Sequence, residues 1–153
     1  MHFKNVVIQS LAAVEAPISV TSQEICKRLE PIMKRLGIRE NLLEEVSGIE
    51  SRRVWEEGTR PSDAATLAAE RAIEDSGIDR ARIGVIINTS VCRDYLEPST
   101  ACIVHGNLGL ADHCVNFDVG NACLAFLNGM DIAARMIERG EVEYALVVDG
   151  ESS

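Results

Sequence analysis

The sequence predicts an α/β fold with a largely parallel sheet, and two features indicate it. Segments 83–90 (IGVIINTS) and 144–150 (YALVVDG) are apolar without alternation, as in strands that are covered on both faces. Segments with helical periodicity lie between the apolar runs, and this order is typical of parallel strands joined by helical crossovers. No repeat, linker or low-complexity tract divides residues 1–153, so we expect a single domain.

The first third of the chain is expected to hold a strand at 6–14, which is rich in β-branched residues. Thr21 and Glu24 form a capping-box pattern that opens a helix, and Gly37 ends that helix. Pro31 is expected to kink or divide it. Two further elements are predicted in this part of the chain, a short helix in 39–48 and a short extended segment in 50–55.

Residues 61–150 are expected to alternate helices with strands. Ser62 is a good N-cap for a helix over 63–75, which Gly77 ends. The apolar stripe of this helix has helical spacing and small side chains: Ala65, Ala68, Ala69, Ala72 and Ile73. The later elements are predicted as a short helix after Pro98, a strand over 115–119, and a long, largely apolar helix over 123–139 that ends at Gly140.

Charge and composition exclude several functional classes. The net charge is −9, and residues 61–153 carry all of it, because residues 1–60 have nine basic and nine acidic side chains. Nucleic acid is therefore not an expected partner, and the charged end of an anionic ligand would lie against residues 1–60. The sequence contains no apolar run of about 18 residues, so no membrane span is predicted. Five cysteines without a CxxC pair predict reduced thiols and a cytoplasmic location.

The segment 118–126 (DVGNACLAF) places Cys123 where a strand passes into the long helix. Unpaired N–H groups at a helix N-terminus stabilise a thiolate, and they can also hold the oxyanion formed when sulfur attacks a thioester. Gly120 and Ala122 leave the approach to the sulfur free of large side chains. A buried core cysteine is the alternative, and composition alone favours it. The stripe Ala125, Gly129 and Ala133 permits close packing on either the sheet or a second helix.

The segment 117–150 (FDVGNACLAFLNGMDIAARMIERGEVEYALVVDG) resembles the nucleophile region of the thiolase superfamily, in particular the 3-oxoacyl-ACP synthase III group. Segments 87–110 (INTSVCRDYLEPSTACIVHGNLGL) and 61–69 (PSDAATLAA) are similar to the OleA type of long-chain olefin biosynthesis, which joins two fatty acyl-CoA molecules head to head. The resemblance implies the N-terminal half of a thiolase-like αβαβα fold, with the C-terminal half absent from this chain.

The resemblance also implies roles for individual residues. Cys123 would be the acylated nucleophile, and its N–H would form half of the oxyanion hole. Glu97 would cross the interface of a homodimer and remove the α-proton of the second thioester. A histidine and an asparagine from the missing half would complete the site. The equivalent helix of that half would pack against the stripe on the long helix. Coenzyme A or ACP thioesters are the implied substrates, without a further cofactor or metal.

One departure concerns coenzyme A binding. Ordinary synthase III enzymes have an arginine where this sequence has Val46. The cations that could substitute are Arg52, Arg53 and Arg60.

Three interpretations stay open. They are an acyl-CoA condensing enzyme of the OleA type, a decarboxylating 3-oxoacyl-ACP synthase III, and a non-catalytic α/β fragment. The 153 residues by themselves are expected to be inactive.

Overall fold

The computed structural model describes residues 2–39 and 41–152. Two compact units are distinguished, residues 15–58 and residues 1–14 together with 59–153. In the described residues, no helix is both long and apolar enough to cross a membrane.

The unit of residues 15–58 combines a two-stranded antiparallel sheet with two helices. Strand β1 (Ile18–Thr21) pairs with β2 (Ser51–Val54). Between them lie α1 (Ser22–Leu36) and α2 (Leu42–Ser47). The capping box predicted for α1 is confirmed, because the N–H of Glu24 donates to Thr21 Oγ1 at 3.1 Å while Glu24 accepts from the Thr21 N–H at 2.8 Å.

One expectation for this part of the chain is wrong, and another is narrowed. Pro31 lies within α1 and does not divide the helix, and a kink at this residue stays a prediction. Residues 6–14 form no strand, since they pair with no other described strand, and an extended segment without ladder partners is not stabilised as a sheet element. The predicted short helix at 39–48 is confirmed as α2, while residue 40 lies outside the described residues.

The second unit is a three-layered α/β arrangement around three parallel strands. The sheet has the order β4-β3-β5, and its elements are α3 (Pro61–Ser76), β3 (Ile83–Asn88), α4 (Thr100–Leu108), β4 (Val115–Asp118), α5 (Ala125–Glu138) and β5 (Tyr144–Val148). The parallel pairing of β3 with both neighbours confirms the predicted fold class.

Alternating side chains of β3 supply both faces of the sheet. Val85 and Ile87 are fully buried on the side of α5, where they pack with Ala133. Ile86 is fully buried on the other side, with residues of α3 and α4 such as Ala69 and Val104. The continuous apolar run of β3 is thus explained by helices on both faces. The strand β5 differs, because all its residues except Val148 are only half-buried.

Candidate active site

Three loops follow the carboxyl ends of β3, β4 and β5, and parallel strands bring such loops to one edge of a sheet. Backbone hydrogen bonds join the loops at the points where they leave the strands. The Thr89 N–H donates to the Val148 carbonyl, and the Val119 N–H donates to the Asn88 carbonyl, both at 2.8 Å. Cys123 and Glu97 therefore belong to loops at the same edge of the sheet.

Cys123 lies in a 3₁₀ turn formed by Ala122–Leu124, and this turn directly precedes the first residue of α5. The residue ahead of it, Ala122, has a φ of 44°, which an L-residue adopts only at a cost of about 1–2 kcal/mol. The Cys123 side chain is exposed. This geometry corrects the expectation that Cys123 is the first residue of the long helix and excludes the alternative of a buried core cysteine in the described structure.

The backbone after Cys123 is paired, whereas its own N–H is not. The Leu124 N–H donates to the Asn121 carbonyl at 3.1 Å, and the Ala125 N–H donates to the Ala122 carbonyl. No hydrogen bond from the Cys123 N–H is formed within residues 2–39 and 41–152. This donor is therefore available to a ligand at the sulfur.

The small-residue stripe of α5 faces its own sheet. Ala125, Gly129 and Ala133 are the buried residues of the helix. A Cβ at Gly129 would come within 2.8 Å of Thr89 Cγ2 and 3.1 Å of Val147 Cγ1. The expectation that a helix from the second half packs on this stripe is wrong, because the sheet already occupies it.

Exposed leucines lie within α5 and directly before its first residue. Leu124 and Leu127 expose 58% and 60% of their surface. The helix therefore has an exposed side in this unit, although its sequence is largely apolar.

Glu97 lies in the irregular loop between β3 and α4, and its side chain is exposed. No hydrogen bond joins it to Cys123 in the part of the chain that the structure describes. The neighbouring Leu96 exposes 86% of its surface. Glu97 thus has the accessible loop position that the sequence predicts.

On each side of Glu97, a carboxylate accepts hydrogen bonds that join this part of the chain to a neighbouring element. Asp94 accepts from the Ser62 N–H at 3.0 Å and from Ser62 Oγ at 2.5 Å. Asp118, at the end of β4, accepts from the N–H groups of Thr100 and Ala101 at 3.0 and 2.8 Å. Both contacts lie at helix N-termini, where a negative charge is stabilising.

The prediction that Ser62 is the N-cap of α3 is wrong. The helix begins two residues earlier than predicted, at Pro61, with Arg60 as its N-cap. Proline is favoured at this first helical position because its missing N–H would be unpaired there in any case. Ser62 is instead a buried donor to Asp94.

Glu151 lies at the same edge of the sheet, and the sequence did not predict its contacts. Its carboxylate accepts from the N–H of Val91 at 2.6 Å and of Cys92 at 3.1 Å, which ties the loop after β5 to the loop after β3. The same carboxylate raises the pKa of the Cys92 thiol by hydrogen bonding. Burial and the Glu151 charge raise the pKa of Asp149. The carboxylates at 149 and 151 directly after a strand were the available signal.

The three candidate cations have partners in the structure. Arg52 donates to Ser22 Oγ at 2.8 Å, and Arg53 donates to the Pro17 carbonyl at 3.1 Å. The Arg60 guanidinium lies 5.6 Å from the ring centre of Tyr95. These contacts orient the side chains, and a role in coenzyme A binding stays a prediction.

The histidines that could suggest a metal site have other surroundings. A ring nitrogen of His105 lies 3.2 Å from the Ala111 carbonyl, and His113 is exposed. Within the described residues, no three acidic, cysteine or histidine side chains are grouped as metal ligands would be.

Comparison with known proteins supports the resemblance that the sequence suggested. The family model described as 3-oxoacyl-[acyl-carrier-protein (ACP)] synthase III matches residues 117–153. An acyl-CoA:acyl-CoA alkyltransferase of Xanthomonas campestris pv. campestris is 60% identical over all 153 residues of the chain. The chain is thus similar to the 3-oxoacyl-ACP synthase III enzymes and to an acyl-CoA:acyl-CoA alkyltransferase. A second alkyltransferase, from Shewanella oneidensis, is 40% identical over the same length.

Solved structures that are similar to the chain confirm the thiolase-like fold. OleA of Xanthomonas campestris, solved as a glutamate-to-glutamine variant, has a TM-score of 0.94 and 60% identity over 98% of the chain. A 3-oxoacyl-(acyl carrier protein) synthase III from Xanthomonas oryzae pv. oryzae has a TM-score of 0.95 and 62% identity over 99%. The chain spans 45% and 44% of the two curated alkyltransferases and 44% and 45% of these solved chains.

Proposed function

We propose that the complete protein is an acyl-CoA condensing enzyme that joins two fatty acyl groups head to head through an acyl-cysteine. The observation that carries the proposal is the 60% identity, over the whole chain, with an acyl-CoA:acyl-CoA alkyltransferase. The exposed sulfur of Cys123, on a sharp turn at the carboxyl edge of a parallel sheet, supplies a nucleophile in the position that such chemistry requires.

In the first half-reaction, the Cys123 thiolate attacks the thioester carbonyl of one acyl-CoA. A carbon–sulfur bond to Cys123 forms, and the bond to coenzyme A breaks as coenzyme A leaves. The unpaired Cys123 N–H is a suitable donor to the oxyanion, and one such donor contributes about 10²–10³ in rate.

In the second half-reaction, Glu97 removes a proton from the α-carbon of a second acyl-CoA. The resulting carbanion attacks the acyl-cysteine, a carbon–carbon bond forms, and the Cys123 thiolate leaves. Because no hydrogen bond joins Glu97 to Cys123 in the described residues, we assign Glu97 to the site of a partner subunit in a homodimer.

The solved variants of OleA support this pair of residues. One is a glutamate-to-glutamine variant and another a cysteine-to-alanine variant, and the two substituted positions are 26 residues apart. Glu97 and Cys123 have the same separation. Further OleA structures carry substitutions at a histidine 142 residues beyond that cysteine, in agreement with a catalytic histidine supplied by sequence outside residues 1–153.

The proposal includes the assembly and surroundings of the enzyme. Residues 1–153 would be the N-terminal half of the thiolase-like domain, and the other half would supply a histidine and an asparagine. The thioester substrates bring coenzyme A, and the chemistry needs no further cofactor. The cytoplasmic location rests on the number and spacing of the cysteines.

The test is to incubate the full-length protein with a long-chain acyl-CoA and to map the adduct by mass spectrometry. We expect the acyl group on Cys123, and we expect Cys123→Ala to abolish both acylation and condensation. Cys102→Ala is the matched control, because Cys102 is also exposed. An adduct on another cysteine, or full activity in Cys123→Ala, would overturn the proposal.

The second candidate is a decarboxylating 3-oxoacyl-ACP synthase III. It is favoured by the family model and by the Xanthomonas oryzae structure at 62% identity. Consumption of malonyl-ACP with release of carbon dioxide would identify this reaction, whereas condensation of two acyl-CoAs without malonyl-ACP identifies the first. A fragment without catalytic function would show neither reaction, and its Cys123 would be alkylated no faster than Cys102.

A further inference from the structure

The segment that carries Glu97 is anchored on one side by the N-terminus of α3. Asp94 lies three residues before Glu97, and its carboxylate accepts both the N–H and the hydroxyl of the buried Ser62. Charge-assisted bonds of this kind are short and strong. Tyr95 adds a second contact at the same helix end through the Arg60 guanidinium.

The other side of the segment is anchored by α4. Ser99 is the N-cap of this helix, and its hydroxyl accepts from the Cys102 N–H at 3.2 Å. The Asp118 carboxylate accepts from the first two N–H groups of this helix. Asp118 is also the last residue of β4, the strand that leads to Cys123. Only Leu96, Glu97 and Pro98 remain between the two anchors, and all three are exposed.

From this arrangement we propose that Asp94 is a positioning residue for condensation. It fixes the Glu97 segment to α3, so that the Glu97 carboxylate is presented at a constant place. The inference rests on the proposed function of Glu97 as the base. Asp94 is assigned no contact with substrate, because its carboxylate is engaged by Ser62, and its effect is exerted through the loop.

The test compares two half-reactions in the full-length protein. In Asp94→Ala, we expect acylation of Cys123 by acyl-CoA to keep its normal rate, because the cysteine turn does not depend on this contact. Condensation should fall about tenfold to a hundredfold, since a displacement of about 1 Å can have an effect of this size. Asp94→Glu, which restores the charge with a longer side chain, should recover part of the condensation.

Asp63→Ala is the matched control. Asp63 belongs to the same helix end, is exposed, and accepts from the Arg60 N–H at 3.0 Å. Among the described residues, no hydrogen bond joins its side chain to the Glu97 loop. The substitution Asp63→Ala removes a comparable capping carboxylate, so a general loss of stability would affect Asp63→Ala and Asp94→Ala alike. We expect Asp63→Ala to keep normal acylation and condensation.

A double variant separates this inference from the proposed function. In a Glu97→Gln background, Asp94→Ala should cause no further loss of condensation, because both act through one group. If Glu97→Gln alone condenses normally, the proposed role of Glu97 fails. If Glu97→Gln is inactive in condensation but Asp94→Ala matches Asp63→Ala, or loses acylation and condensation together, the positioning role is overturned.

Discussion

At the scale of the residue, the backbone of Ala122 determines how Cys123 is presented. Its φ of 44° is accessible to glycine, costly for alanine and strongly disfavoured for a β-branched side chain. We predict that Ala122→Val in the full-length protein lowers the rate of Cys123 acylation by about tenfold or more, because the turn must rearrange. Ala122→Gly is the control and should retain acylation. Equal rates in the two variants would show that the turn does not position the sulfur.

The contact of Glu151 with Cys92 gives a second prediction at this scale. The hydrogen bond to the carboxylate raises the pKa of Cys92, so the unreactive thiol form persists to higher pH. In Glu151→Gln the negative charge is lost, and the pH of half-maximal Cys92 alkylation should decrease. Peptide mapping after iodoacetamide treatment at several pH values measures this shift. Cys102 in the same samples is the internal control, and a parallel shift at Cys102 would contradict the assignment to Glu151.

At the scale of the element, the packing of α5 depends on the absence of a side chain at Gly129. An added Cβ would approach Thr89 Cγ2 to 2.8 Å, so the helix must move away from the sheet. We predict that Gly129→Ala lowers the free energy of unfolding by about 1–3 kcal/mol, as overpacking does. Gly106→Ala in α4 is the control: a Cβ there has open space, and it should raise this free energy by up to about 1 kcal/mol. Chemical denaturation measures both.

The elements that sequence predicted correctly are those with local signals. Thr21 and Glu24 lie within one helical turn, so the sequence contains both halves of the capping box of α1. The strand β3 was recognisable because helices cover both of its faces, which makes every position except Gly84 buried. Such features depend on near neighbours or on burial alone.

The errors concern contacts between distant residues. Ser62 was assigned as a cap, whereas its partner Asp94 lies 32 residues further along the chain. The stripe on α5 was compatible with a sheet or a helix, and only the positions of Thr89 and Val147 decide between them. For the candidate site, a cysteine at a strand-to-helix junction was readable from sequence, but the carboxylates that hold the Glu97 loop were not.

At the scale of the whole molecule, the question is whether Glu97 acts in its own subunit or in its partner. Glu97 is exposed beside the equally exposed Leu96 and makes no hydrogen bond to Cys123 in the described residues. If it acts across a dimer interface, each site combines the cysteine of one subunit with the glutamate of the other. We predict that full-length Glu97→Gln retains acylation of Cys123 but does not condense, while Cys123→Ala does neither.

Mixing these two inactive variants under conditions that exchange subunits distinguishes the possibilities. The mixed dimer contains one intact cysteine opposite one intact glutamate, so condensation should reappear, at up to about a quarter of the normal activity: half of the dimers are mixed and each has one working site of two. Exchange is verified with differently tagged subunits, and a mixture of Cys123→Ala with the double variant Cys123→Ala/Glu97→Gln is the control that must stay inactive. If exchange is complete and the mixed dimer does not condense, Glu97 serves the cysteine of its own subunit, and the loop must reach it by a movement within one chain. Recovery of activity would place the base of each site on the partner subunit, in which case neither subunit could condense alone.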